Sequence, residues 1–237
     1  MYENIKVKKI VEHSLKEWET KGTTILFLGG CNMRCPYCNQ KSLVLNSNSI
    51  PDIPYENIRE FLMGNRKWID GVVISGGEPS INPSLTFLLQ DLKRMGFLTK
   101  VLTNGTNEPL LRKLIISKFI DLISIDIKAP INEIKYKEVS KVNVDIRNLK
   151  NLLTFLKTSS FNYEISVTPH PSTMSEEDFE DIIDSLTGIK KFVIRKIEIG
   201  DLLDDNLRNI EPYSDEYINM LYLKAKRMLK NSFIRII

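Results

Sequence analysis

Short apolar runs alternate with longer amphipathic segments along most of the chain. The apolar runs are rich in β-branched residues and are bounded by glycine, asparagine or proline, so they are predicted to be β-strands. Most of the longer segments carry apolar residues at the spacing of an amphipathic helix. Strands that alternate with helices indicate a parallel sheet built from βαβ units. Six strands are predicted in this series, and they begin at Thr23, Gly71, Leu98, Leu122, Tyr163 and Phe192.

Capping residues support the helices of this series. Asn82 is a good N-cap, Pro83 suits the first helical position, and Gly96 suits the end of the same helix. Ser175 is predicted to cap a helix over 176–186, which has acidic residues in its first turn. Further helices are predicted over 55–63, 109–118 and 146–157.

Other segments complete the expected architecture. A strand is predicted over 5–11, a loop over 41–54, a terminal helix over 214–230 and a final strand over 233–237, while the last strand of the series is predicted over 192–199. With 237 residues, 42% of them apolar, we expect an α/β fold in a single domain over 1–237. Its core covers about 23–200 and a C-terminal extension covers 201–237. Six strands are fewer than the eight of a closed (β/α)8 barrel.

Composition narrows the class of protein. The net charge of +3 is too small to indicate nucleic-acid binding, and the basic residues of the last helix, Lys224, Lys226, Arg227 and Lys230, are interpreted as a solvated face. No apolar run approaches the length of a membrane span, and the polar N-terminus is not typical of a signal peptide. Clustered thiols without disulfide partners indicate a reducing compartment, so we expect the protein in the cytoplasm.

All three cysteines of the chain fall within eight residues, directly after the predicted strand Thr23–Leu28. Cys31, Cys35 and Cys38 have the spacing C-x3-C-x2-C, and thiolates are the usual ligands of iron–sulfur clusters. A four-iron cluster normally takes four cysteines, so one iron would lack a protein ligand. An open position is typical of catalytic metal sites, by analogy with zinc enzymes.

Other interpretations of the cysteines remain open on spacing alone. A structural zinc site usually has four Cys or His ligands, and the two histidines, His13 and His170, are not at finger-like spacing. A disulfide framework is disfavoured by the odd cysteine count. Zinc binding, or a chance grouping of three buried cysteines, is therefore less favoured than an iron–sulfur site.

Glycine and polar motifs follow the carboxyl ends of successive predicted strands. After the cysteines come Gly76–Gly77–Glu78–Pro79, Thr103–Asn104–Gly105, the pair Asp126 and Lys128, and the run Thr168–Pro169–His170. Sites in parallel α/β folds form at this edge of the sheet. Each motif alone also has a structural interpretation, as a glycine turn, an asparagine turn or a simple ion pair. Their common edge, shared with the cysteines, favours a functional site.

Chemical roles can be assigned to the first of these motifs. Gly76 and Gly77 let a ligand approach the backbone closely, because neither has a side chain. Their carbonyl groups, together with the Glu78 carboxylate, suit a cationic amino group.

The remaining motifs suit a ribose, a carboxylate and a flat base. Asp126 and Asn104 are candidates for hydrogen bonds to ribose hydroxyls, and Lys128 for holding a carboxylate or stabilising a developing anion. Tyr37 would lie beside a flat base. His170 is interpreted either as a residue that lines the entrance of the site or as a simple turn residue.

These motifs resemble a known family. The segment 30–38, with an aromatic residue before its last cysteine, resembles the radical SAM superfamily. The runs G-V-V-I-S-G-G-E-P at 71–79, L-T-N-G at 102–105 and I-D-I-K-A-P at 125–130 resemble the glycyl radical enzyme activating enzymes. Among these the chain is most similar to the anaerobic ribonucleoside-triphosphate reductase-activating proteins. The resemblance covers about residues 23–200.

The resemblance implies a partial (β/α)6 TIM-like barrel with a short N-terminal strand and C-terminal helix extensions. It implies a 4Fe-4S cluster on Cys31, Cys35 and Cys38 that binds S-adenosylmethionine and cleaves it reductively to methionine and a 5′-deoxyadenosyl radical. The implied cofactor-binding residues are Tyr37, Gly76, Gly77, Glu78, Pro79, Thr103, Asn104, Asp126 and Lys128, and the implied catalytic residues are Lys128 and the cysteines. The implied partners are a glycyl radical enzyme, such as anaerobic ribonucleotide reductase, and a flavodoxin- or ferredoxin-type electron donor, with no membrane.

The chain departs from the pattern of these activating enzymes at several positions. Asn39 and Gln40 follow the third cysteine, where His–Asn is common, and Leu102 stands where several activating enzymes use an aspartate to bind a monovalent cation. The segment rich in glycine and arginine that is common in pyruvate formate-lyase activating enzymes is missing. One alternative is a radical SAM enzyme acting on a small molecule or nucleobase, like 7-carboxy-7-deazaguanine synthase. A non-catalytic zinc module is a further alternative.

Overall fold

A computed structural model of the chain describes residues 5–197 and 200–237. Strands and helices alternate as predicted. The strands of the described part are β1 (Val7–Ser14), β2 (Thr23–Leu28), β3 (Gly71–Gly76), β4 (Leu98–Thr103), β5 (Leu122–Ile127), β6 (Tyr163–Val167), β7 (Lys191–Ile194) and β8 (Phe233–Ile236). The α-helices are α1 (Lys41–Leu45), α2 (Tyr55–Gly64), α3 (Leu85–Arg94), α4 (Glu108–Ile116), α5 (Glu133–Ser140), α6 (Ile146–Thr158), α7 (Glu176–Ser185) and α8 (Asp215–Met228). Short 3-10 helices cover Ser47–Ser49, Pro79–Ile81 and Asp205–Asn209.

The chain folds into two compact units. The first takes the chain up to Asn32 together with Ser42–Thr103 and Pro109–Ile123, and the second takes Met33–Lys41, Asn104–Glu108 and Ser124–Ile237. Strand β5 begins in the first unit and continues in the second. Whether the two units fold independently decides the expectation of a single domain over 1–237. That expectation stays a prediction.

The first unit is built on strands β1 to β4. Strand β1 pairs antiparallel with β2, and β2, β3 and β4 follow as parallel neighbours. Strands β2 and β3 are in register from Thr23 opposite Gly71 to Leu28 opposite Gly76, so their carboxyl ends meet at one edge. Helices α2 and α3 bury apolar stripes that include Leu62 and Leu88. This packing places the Gly76 turn beside the segment that leads into the cysteines.

The second unit contains a parallel sheet of β6, β7 and β8. Ile165 is opposite Phe192 and Phe192 is opposite Ile234 in its register. Helix α7 begins with a capping box in which Ser175 and Asp178 bond each other's backbone N–H, so the predicted cap is confirmed. The predicted final strand is also confirmed, since β8 pairs in parallel with β7.

Several predicted boundaries are wrong. The helix expected to start after Asn82 starts at Leu85, because Asn82 closes the preceding 3-10 helix and its Oδ1 atom accepts the Ser84 N–H at 3.0 Å. The predicted strand over 192–199 ends at Ile194, and residues 198 and 199 lie outside the described part.

Two helices were not predicted at all. Helix α1 lies within the predicted loop over 41–54. Helix α5 has almost no apolar periodicity and depends on the Asn132 cap and on burial of Tyr136. Over the described residues, no helix combines the length and the apolar content that crossing a lipid bilayer requires.

Candidate active site

The Gly76–Gly77 turn at the end of β3 packs directly on backbone of its own unit. A Cβ atom on Gly76 would lie 2.0 Å from the Leu28 carbonyl oxygen, and one on Gly77 would lie 1.9 Å from the Gly30 carbonyl oxygen. Gly77 N–H bonds the Leu28 carbonyl at 3.0 Å, and Glu78 N–H bonds the Gly30 carbonyl at 2.8 Å. Glycine is therefore required at both positions by the close approach of two backbone segments. The turn fixes the residue that immediately precedes Cys31.

Glu78 ties this turn to the end of β4. Its side chain is 1% exposed, and its Oε1 atom accepts hydrogen bonds from Ser80 N–H at 2.9 Å and from the Thr103 hydroxyl at 2.6 Å. Thr103 is the last residue of β4, and Pro79 begins the 3-10 helix that directly follows Glu78. The structure thus brings the first-unit candidates Gly76, Gly77, Glu78, Pro79 and Thr103 together around the segment that leads to Cys31.

The other two cysteines lie in a loop that the second unit holds by its backbone. Cys38 N–H bonds the Cys35 carbonyl at 3.1 Å and closes a turn. The Cys38 carbonyl accepts Leu203 N–H at 2.9 Å, and the Pro36 carbonyl accepts Asp204 N–H at 3.0 Å. Residues 203–204 therefore fix the third cysteine from a distant part of the sequence.

Asp126 and Lys128 form an ion pair beside Tyr37. The Lys128 Nζ atom lies 2.5 Å from Asp126 Oδ2 and 5.8 Å from the centroid of the Tyr37 ring. The expectation that these two side chains face the same way is confirmed. The other neighbour of Tyr37 is His170, whose ring stacks on it with centroids 6.2 Å apart and planes 12° apart. The second unit thus places an aromatic stack next to a partly buried charge pair.

Burial and charge set the ionisation of this cluster. Burial lowers the pKa of Lys128, but the Asp126 carboxylate and other nearby groups raise it, and the net pKa is well above the usual value. Burial raises the pKa of Tyr37 well above its usual value, against the opposing effect of Lys128. At neutral pH the site therefore holds an ammonium group and a neutral phenol. In the described part of the chain, the buried Tyr37 hydroxyl has no hydrogen-bond partner.

His170 is held as a neutral ring with a defined tautomer. Its Nδ1 atom accepts Ser172 N–H at 3.2 Å and lies 2.7 Å from the Ser172 hydroxyl, so the ring hydrogen is on Nε2. The residue is 1% exposed, and burial lowers its pKa. The sequence placed His170 at the entrance or in a simple turn, whereas the structure stacks it on Tyr37. Its position just after β6, at the common edge of the motifs, was the available signal.

Asn104 forms an asparagine turn, which was the structural interpretation of the Thr103–Asn104–Gly105 motif. Its Oδ1 atom accepts hydrogen bonds from Thr106 N–H at 3.1 Å and from the Thr106 hydroxyl at 2.7 Å. Gly105 follows with a φ of +75°, a conformation that favours glycine. This oxygen is therefore used within the turn, and the ribose-binding role of Asn104 remains a prediction.

The donor set suits an iron–sulfur cluster. Among the described residues none of the three cysteines is in a disulfide, and both backbone segments that flank them are fixed by hydrogen bonds. No three His, Cys, Asp or Glu side chains of residues 5–197 and 200–237 lie close enough to hold one metal ion. Cysteine thiolates are the usual ligands of iron–sulfur clusters, so Cys31, Cys35 and Cys38 are the residues that would hold one.

Comparisons with known proteins give the family. The profile of the radical SAM superfamily matches residues 25–186. A protein of Methanocaldococcus jannaschii named as a glycyl-radical enzyme activating enzyme is 31% identical, and the match covers 98% of this chain and 96% of that protein. The 7-carboxy-7-deazaguanine synthase of Haemophilus influenzae is 31% identical, but over only 43% of this chain and 46% of the synthase.

A solved structure gives the same fold. SuiB of Streptococcus suis bound to S-adenosylmethionine superposes with a TM-score of 0.67 at 16% identity, over 90% of this chain and 51% of that one. At this identity the likeness concerns the fold alone. Together with the parallel strands of both units, it confirms the predicted α/β fold of partial-barrel type.

Proposed function

We propose that this chain, which belongs to the radical SAM superfamily, is an activating enzyme that removes a hydrogen atom from a backbone glycine of a partner enzyme. The observation that carries this proposal is the match to the Methanocaldococcus jannaschii protein, because it covers nearly the whole of both chains. The superfamily uses a 4Fe-4S cluster and S-adenosylmethionine, as the sequence predicted.

The residues that would hold these cofactors follow from the site. We assign the cluster to Cys31, Cys35 and Cys38, which are the only thiols of the chain. When bound, the cluster and S-adenosylmethionine supply the 5′-deoxyadenosyl radical that abstracts hydrogen. The chain's own contribution is to fix the thiols through two backbone anchors, at Gly30 and at Cys38.

Lys128 and Tyr37 have complementary roles in this proposal. Lys128 keeps its proton at neutral pH, so it would bind the carboxylate of the methionine part and hold its charge. Tyr37 would present an aromatic face beside the base, with its ring orientation fixed by stacking on His170. Asp126 orients Lys128 through the ion pair and would reach a ribose hydroxyl with its other oxygen.

The partner is a glycyl radical enzyme in this proposal, and anaerobic ribonucleotide reductase is its first candidate. The run I-D-I-K-A-P at 125–130 supports the choice, since it carries the Asp126–Lys128 pair and resembles the activating proteins of that reductase. A flavodoxin- or ferredoxin-type protein would donate the electron. A small molecule or nucleobase is the second candidate substrate, and the partial match to the deazaguanine synthase favours it over other small-molecule activities.

Electron paramagnetic resonance separates these candidates. The reconstituted enzyme is incubated anaerobically with S-adenosylmethionine, a reductant and the glycyl radical enzyme encoded nearest to its gene. We expect a glycyl radical doublet on the partner and 5′-deoxyadenosine in matching amount. Deuterium placed at the target glycine should appear in 5′-deoxyadenosine. Transfer of deuterium from a nucleoside instead, with no radical on any partner, would establish the second candidate.

A further inference from the structure

The parallel strands of the second unit present two chemically different faces. Phe192 of β7 contacts Phe179 of α7, with ring centroids 6.2 Å apart, so the Phe192 side of the sheet faces this helix. Register partners in a parallel sheet point to the same face, which places Ile165 and Ile234 on this side. The alternate residues of the strands therefore face away from α7.

The face turned away from α7 carries a row of polar side chains. Arg235 Nη2 of β8 lies 3.3 Å from Glu164 Oε2 of β6. Two residues along β6, the Ser166 hydroxyl lies 3.4 Å from Asp126 Oδ1, and Asp126 pairs with Lys128. The Glu164 and Arg235 side chains are only 3% and 15% exposed. The row thus continues the Asp126–Lys128 pair across the buried face of the sheet.

Fold stability alone does not require this row. Strands of a parallel sheet that is buried on both faces are normally apolar throughout. An ion pair in such a place loses its hydration, and apolar residues of similar volume would be about equally stable there. Ser124, two residues before Asp126 on the same face, has a buried hydroxyl without a hydrogen-bond partner among the described residues. A buried polar group without a partner calls for an explanation, and ligand sites carry a few polar groups within an otherwise apolar lining.

We propose that Glu164 and Arg235 form a subsite that binds a backbone peptide group of the partner's glycine loop. A peptide group offers one N–H donor and one carbonyl acceptor, and this pair supplies a carboxylate acceptor and a guanidinium donor. Ser166 links the subsite to Asp126, so a loop bound there would lie along the row that leads to the cofactor residues. The inference rests on the proposed function and assigns recognition of the partner to this face.

The test removes the charges while keeping the shape of the pair. Glu164→Gln, Arg235→Gln and the double variant are compared with the wild type, using the full glycyl radical enzyme encoded nearest to the gene as the probe. Glu180→Gln is the matched control, since Glu180 pairs with Lys224 on α8 and is outside the row. Partner affinity is measured by calorimetry, and radical formation is measured against partner concentration. S-adenosylmethionine cleavage without partner is the internal reference.

We expect the row variants to weaken partner binding and to raise KM roughly tenfold to hundredfold, the range for losing a hydrogen bond to a charged group. Cleavage without partner and the control variant should stay unchanged. The double variant removes both charges of the Glu164–Arg235 pair together, so it keeps the test valid if a single variant unfolds. A folded double variant with wild-type affinity and KM, or a double variant that cannot fold, would show a purely structural pair. A wild type that neither binds nor activates any partner would overturn the proposed function as well.

Discussion

At the scale of single residues, the site depends on groups whose ionisation is set by burial and by one close partner. Lys128 is the clearest case, because burial and the Asp126 carboxylate act on its pKa in opposite directions and the second effect prevails. For His170, burial alone lowers the pKa. Both residues contact the same ring, Tyr37, but at neutral pH Lys128 is a cation whereas His170 is neutral.

The lowered pKa of His170 predicts that the stability of the folded protein depends on pH. Because its folded pKa is lowered from 6.5, its contribution is fully present above pH 6.5 and is lost as pH falls below that value. We expect the difference in unfolding temperature between the wild type and His170→Phe to shrink between pH 7 and pH 5.5. Thermal melts followed by circular dichroism measure it, and His13→Phe serves as the comparison at an exposed histidine. A difference that does not change with pH would contradict this prediction.

At the scale of elements, two backbone connections position the cysteines. The turn after β3 bonds the chain at Leu28 and Gly30, and residues 203–204 bond the carbonyls of Pro36 and Cys38. Both connections are hydrogen bonds between main-chain groups. The residues that matter are therefore those whose side chains, or lack of one, let the two backbone segments come close together. Each connection can be broken by one substitution and has a neutral control.

Gly77→Ala tests the first connection. The added Cβ would lie 1.9 Å from the Gly30 carbonyl, so the two segments must separate. Forcing an extra methyl group into a packed site costs roughly 1–3 kcal/mol, and we expect lower stability and lower iron content after reconstitution. Gly64→Ala is the control, because nothing lies within 4 Å of a Cβ added there. Equal stability and iron content in the two variants would show that the turn tolerates a side chain.

Leu203→Pro tests the second connection. Proline has no N–H, so the bond to the Cys38 carbonyl is lost. We expect the reconstituted protein to lose iron faster in air, followed by its visible absorbance. Leu203→Ala keeps the N–H and should retain iron nearly as long as the wild type. If the two variants lose iron at the same rate, residue 203 does not support the third cysteine.

At the scale of the whole molecule, the C-terminal extension belongs to the sheet of the second unit. Strand β8 pairs with β7 in parallel register, with Val193 opposite Arg235. Ile234 is buried on the α7 side, while Phe233 is about half exposed. The extension is therefore part of the packed structure and also supplies one member of the proposed subsite.

The substitution Ile234→Ala tests how much the stability of the sheet depends on β8. Truncating a buried isoleucine costs about 2–5 kcal/mol, and the enclosed position of Ile234 supports such a loss. Phe233→Ala, at a half-exposed position of the same strand, should cost clearly less. Urea unfolding measures both. Similar losses for the two variants would mean that β8 does not pack as the structure has it.

The sequence by itself determined the features that depend on near neighbours. Strand β2 has the predicted bounds, strand β5 begins at the predicted Leu122, and Ser175 caps its helix. The three cysteines indicated the family and its cofactors. Apolar periodicity, capping and ligand spacing act over a few residues, so they can be read along the chain. The start of α3 was missed because Asn82 serves a turn that competes with the helix cap.

The tertiary structure alone decided which distant groups meet. The stacking of His170 on Tyr37, the anchoring of Cys38 by Leu203 and the pairing of Glu164 with Arg235 join residues far apart in sequence. Such contacts depend on which faces the packed helices leave uncovered and on strand register, neither of which is a local property. Helix α5 also depends on tertiary contacts, because burial of Tyr136 stabilises a segment that has little apolar periodicity of its own.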